Sequence, residues 1–171
     1  MNMRYFVTVV LFIASMTGAK AKNNISVDYT EESELVSVIA HLAKVPAYIW
    51  PEAQAGVIDY FHQVDSTFAP YSNHPIMAFV ADSLVKQGFG YHVPVAMALR
   101  LKLKNGKLHY NTDLEPDFNH YYRGITPQHE KKLIALLEDF YKKAHFHSFF
   151  KKNQPLYNAC KQTMQQQLVD K

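Results

Sequence analysis

The sequence predicts a mainly α domain of about five to six packed helices with one β-hairpin. Apolar residues recur every three or four positions in several separate segments, which is the spacing of one helix face. Proline and glycine punctuate those segments where helices start and stop. One short stretch instead alternates apolar and polar residues around Asn105-Gly106, the pattern of a two-residue hairpin.

Composition narrows the classes. Of 171 residues, 48% are hydrophobic and 13% aromatic, too apolar for a disordered chain. The first 21 residues hold Arg4 and Lys20 and no acid. The remaining 150 hold sixteen bases and fifteen acids, a net charge of +1 and a length of about one domain. Near-neutrality argues against a dedicated nucleic-acid binder, which needs a dense basic surface. The lone Cys160 has no partner for an internal disulfide.

Arg4, the apolar run Tyr5 to Met16 and the small-x-small end Ala19-Lys20-Ala21 predict a cleaved signal peptide over residues 1–21. The run is shorter than the roughly 20 residues a membrane span needs. The chain is therefore expected to be secreted or periplasmic, with no stable membrane span after cleavage.

In the mature region, residues 22–171, Thr30 or Asp28 suits a helix start. Leu35, Val38, Ile39 and Leu42 form the first stripe, which Pro46 is expected to stop. Val57, Tyr60, Phe61, Val64 and Phe68 form a second stripe. Asn73 is expected to cap a third helix, with Pro75 in its first turn, Ile76, Phe79, Val80 and Leu84 inside, and Gly88 just past its end. Pro94 opens a short fourth helix. The Asn-Gly turn then pairs Leu103 with Leu108 and Leu101 with Tyr110. Thr126-Pro127 starts what reads as the longest helix, with Leu133, Leu136, Leu137, Phe140 and Tyr141 inside. Glu138–Lys142 and Asp139–Lys143 are spaced for ion pairs on its outer side. Phe146, Phe149 and Phe150 extend the face. Pro155 marks a break before a last stripe of Tyr157, Cys160, Met164 and Leu168, on which Cys160 reads as a small buried hydrophobe.

Several strings invite chemistry. His129-Glu130-Lys131-Lys132-Leu133 begins like a HExxH zinc helix, but the second ligand position is Leu133. His145 and His147 would diverge by about 200° on a helix and read as structural residues. Asp59, His62 and Asp65 share one helix side and read as its solvated face. Asp113, Glu115, Asp117 and Asn119 alternate like a calcium loop, yet its sixth and twelfth positions are Phe118 and Gly124. No catalytic, cofactor-binding or metal residue is assigned, and no cofactor is expected.

Three blocks carry a resemblance. They are Glu34 to Ala43, Tyr60 to Pro75 with Gly88-Phe89-Gly90-Tyr91, and Leu137 to Phe150 with Pro155-Leu156-Tyr157. In order and spacing they resemble the N-terminal half of the secreted bacterial proteins grouped as domain of unknown function 4932. The second half of that family carries a HExxH helix like that of zinc metallopeptidases. The resemblance implies a helical, non-catalytic N-terminal portion of a metallopeptidase-like protein, ending before the HExxH region and inactive alone. It carries no zinc ligand onto any residue here. The missing C-terminal half, or another protein, is then the expected partner. The alternative is a stand-alone secreted binding module, which would keep a concave aromatic site where a half-protein would expose a flat apolar face.

Overall fold

A computed structural model describes residues 27–46, 48, 55–90, 92–111 and 125–168. The leader at 1–21 and the acidic run at 113–119 lie outside them. Helix α1 (Glu31–Leu42) is followed by α2 (Ala55–Phe68), which a 3-10 turn extends through Ala69–Tyr71. Next comes α3 (Pro75–Ala78), continued by a π-helical turn Phe79–Leu84 and a 3-10 turn Val85–Gln87. Helix α4 (Val93–Leu99), strands β1 (Leu101–Lys104) and β2 (Lys107–Tyr110), α5 (Pro127–Lys143) and α6 (Phe146–Leu168) complete the order. The mainly α architecture with one antiparallel hairpin is as the sequence predicts.

Helix α1 is the central element, packed against α3, α4, α5, α6 and β1. Its start is a capping box: the Thr30 hydroxyl accepts from the Ser33 amide, and Ser33 Oγ accepts from the Thr30 amide. Glu31, Glu32 and Glu34 add negative charge in the first turn, where the helix dipole favours it. Leu35, Val36, Val38, Ile39, Ala40 and His41 are all buried. The helix ends four residues before Pro46. Lys44 takes a left-handed φ of 57°, its amide donates to the His41 carbonyl, and the Val45 amide donates to the Ala40 carbonyl. These bonds form a Schellman motif, which satisfies the last carbonyls, with Val45 fully buried beyond it.

His74, rather than Asn73, caps α3. Its Nδ1 accepts from the Ile76 amide at 3.3 Å, so its proton sits on Nε2 and is donated to Asp139 of α5 at 3.0 Å. Pro75 then fills the first helical position, and Gly88 closes the segment at φ 89°.

The hairpin has the predicted register, Leu103 opposite Leu108 and Leu101 opposite Tyr110, with Asn105 and Gly106 both at positive φ. It is anchored on α5. The outward amide of Leu108 donates to Glu138 at 2.8 Å, so Glu138 serves the strand edge rather than Lys142. Asp139 does pair with Lys143 at 2.9 Å. The Tyr141 ring lies 3.6 Å from where a β-carbon on Gly106 would sit.

His145, at φ 50°, breaks the chain between α5 and α6, so Phe146, Phe149 and Phe150 do not extend the α5 face but share α6 with Tyr157. Helix α6, at 23 residues, is the longer of the two and runs through Pro155. Pro155 and Lys151 are both exposed, so water can satisfy the carbonyl that loses its donor. The opposite face buries Phe146, Phe149, Phe150 and Tyr157. Burial at about 1.5–3 kcal/mol per large side chain outweighs the roughly 3 kcal/mol cost of an interior proline. Cys160 and Met164 are exposed, contrary to the buried stripe expected: the inner face of α6 ends at Tyr157.

Phe68 of α2, fully enclosed, sits among Phe140 of α5 and Phe146 and Phe149 of α6, with ring centroids 4.9–5.9 Å away. Among the described residues, no helix is long and apolar enough to cross a membrane.

Candidate functional site

Long polar side chains bridge α1 and α2, and a cavity of about 220 Å³ opens between the two helices. Glu34, Ser37 and Val38 line it from α1, at the i, i+3, i+4 spacing of one face. Tyr60, Phe61 and Val64 line it from α2, and Tyr48 from the connection between them.

Glu34 stands at the polar end. Tyr60 donates to its carboxylate, and Tyr157 of α6 donates in turn to the Tyr60 oxygen at 3.1 Å. Burial pushes the Glu34 carboxyl above its usual range, against the opposing pull of the two phenols. Burial and then the neighbouring carboxylate push both tyrosines up in turn. The cluster therefore ties α1, α2 and α6 at one point. Tyr29 covers its far side, 5.3 Å from the Tyr157 ring, with its hydroxyl donated to Asn158.

Two turns along α1, His41 is buried against Phe61, ring stacked on ring at 4.4 Å. Its Nδ1 donates to the Tyr48 carbonyl at 3.1 Å, and its Nε2 faces the Asp65 carboxylate at 2.9 Å. Both neighbours are acceptors, and both ring nitrogens are engaged by them. Ser37 lies one turn before His41 and Asp65 lies beyond it, but this is no catalytic triad. Both ring nitrogens are engaged, and neither remains to take a proton from Ser37.

The motifs singled out in the sequence scatter over the fold. Asp59, His62 and Asp65 are all exposed, as the solvated-face reading expects, and Asp65 also pairs with the buried His41. His129 binds Gln87 and the capping Thr126, and Glu130 pairs with Arg100 at 3.3 Å. His145 occupies the α5–α6 turn. His147 reaches Glu31 at 3.0 Å, where Tyr141 also donates. Burial and then Glu31 push the Tyr141 phenol up to about 12. Among the described residues, no three histidine, cysteine or acidic side chains gather as a metal site.

Sequence reasoning missed Glu34 and Tyr60. The signal available was modest. Glu34 sits two α-helical turns before His41, on the side of α1 that also carries Val38. Two polar residues on that line are worth pairing with a polar partner elsewhere.

The arrangement can hold a small molecule against apolar and aromatic walls with one acid to orient it. Comparison with known proteins finds no matching family model, no matching curated protein and no matching solved structure.

Proposed function

We propose that the chain is an exported helical binding module that takes a small ligand in the α1–α2 pocket and has no catalysis of its own. The observation that carries this reading is the buried Glu34 carboxyl, held by two phenols at the end of an otherwise apolar and aromatic cavity. Few convergent polar groups on apolar walls are what orient a bound ligand. Among the described lining residues Ser37 is the one candidate nucleophile, and both ring nitrogens of the nearby His41 are engaged elsewhere, which supports binding over turnover. The test is a fragment titration followed by NMR. Ligands of the pocket should shift the methyl signals of Val38 and Val64 together. Perturbations mapping only elsewhere would overturn the reading.

A second reading is that this domain is the N-terminal, non-catalytic portion of a secreted metallopeptidase-like protein. Exposed Val95 and Leu99, one turn apart on α4, and exposed Tyr110 on β2 favour it, since they offer apolar surface to another domain. The intact mass of the protein recovered from its native cells decides. A product containing a downstream HExxH segment supports the second reading, and a mass equal to residues 22–171 sinks it.

A further inference from the structure

The pocket's lining carries a charge preference. Among the described residues it contains one acid, Glu34, three aromatic rings, Tyr48, Tyr60 and Phe61, two valines and Ser37, and no lysine, arginine or histidine. An anionic ligand would meet the carboxylate with no cation to offset it. A cation gains twice, from the carboxylate and from the negative faces of aromatic rings in a partly desolvated space. At about 220 Å³ the cavity is smaller than sites for drug-sized ligands, so it suits a headgroup or a small metabolite.

We propose that the ligand is a small ammonium-bearing molecule, seated with its cation against Glu34 and among the rings of Tyr48, Tyr60 and Phe61. This deepens the binding-module reading and rests on it. Tyr60 already donates to Glu34, and Tyr157 donates to Tyr60 in turn, so the carboxylate is oriented before the ligand arrives. An incoming cation supplies the charge partner that the phenols do not. Where Glu34 enters binding as the neutral acid, its proton leaves to solvent and the ammonium takes over the charge balance. The neighbouring charges leave this role open: Glu31 is occupied by Tyr141 and His147, and Asp65 by His41.

The experiment compares choline with its neutral carbon isostere, 3,3-dimethyl-1-butanol, by calorimetry and methyl NMR on the exported chain. Choline should bind about tenfold or more tightly than the isostere, and Glu34→Gln should remove that advantage. Phe61→Leu is the second variant, and should weaken choline more than the isostere. Equal binding of the two probes to the wild type overturns the ammonium assignment while leaving the pocket reading intact. Choline binding that survives Glu34→Gln undiminished does the same. If neither probe shifts the Val38 and Val64 methyls, the ammonium assignment falls. The pocket reading then falls separately only if the fragment titration also fails there.

Discussion

Glu34 is an acid held largely away from water. In the unfolded chain its carboxyl titrates near 4.5, and folding raises that value through burial. The folded state therefore binds the proton more tightly than the unfolded chain does. The resulting stability is fully present below about 4.5 and is lost as the pH rises through the raised folded value. Asp28 and Asp139 act in the other direction. Lys161 lowers Asp28, chiefly by hydrogen bonding, and Lys143 and then His74 lower Asp139, so their contributions fade only as the pH falls below about 3.8. The two windows do not overlap, so a difference experiment separates them. Glu34→Gln keeps an acceptor for Tyr60 and removes the titration. Its stability relative to wild type should rise as the pH climbs above about 4.5 and level off once the folded-state carboxyl has ionised, in urea melts. A constant difference across that range would show that Glu34 is not buried as described. None of this was legible in the sequence, where Glu34 is one of three acids in a first helical turn and reads as dipole complement. Its burial depends on Tyr60 and Tyr157, which lie 26 and 97 or more residues from their partners along the chain.

Where the sequence misplaced an element, a backbone group had found an unexpected partner. Periodicity and turn chemistry are local, so the hairpin, the Thr126 cap and the Gly88 stop were all readable. Pro46 was read as a terminator, but α1 had already closed on a Schellman motif with Lys44 in the position usually held by glycine. Asn73 was read as a cap, but the His74 ring reaches the Ile76 amide and is fixed by Asp139, 65 residues away. Pro155 was read as a break because an interior proline costs about 3 kcal/mol, and the sequence does not show that the opposite face of α6 is buried deeply enough to outweigh it. That difference yields a prediction. Pro155→Ala restores an exposed helical amide, while giving back roughly 0.5–1 kcal/mol of unfolded-chain entropy. The variant should be more stable by about 2 kcal/mol in chemical denaturation. A destabilised variant would mean that the proline shapes the helix for a further packing contact.

At the scale of the molecule, the fold is held at two joints that meet through Phe149, which touches both Tyr60 and Phe68. One is the Glu34–Tyr60–Tyr157 cluster, which joins α1, α2 and α6. The other is the aromatic centre, where Phe68 of α2 meets Phe140 of α5 and Phe146 and Phe149 of α6. Single helices announced their apolar faces in the sequence. Which faces would meet, and that α1 and α2 would meet through long side chains around a space, depend on contacts between distant segments that periodicity does not encode. The polar joint is costly to bury, and the aromatic joint supplies packing that offsets that cost. Truncating the latter should therefore lower stability without touching the chemistry of the pocket. Phe68→Ala removes a fully enclosed ring, for which about 3–5 kcal/mol is expected, or a fall in Tm of roughly 10–15 °C for a domain of this size. Below its melting transition the variant should bind choline with wild-type affinity, because Phe68 does not line the cavity. A loss of affinity in the still-folded variant would show that the aromatic centre sets the α1–α2 spacing, and that the pocket is a property of the whole bundle rather than of the two helices that line it.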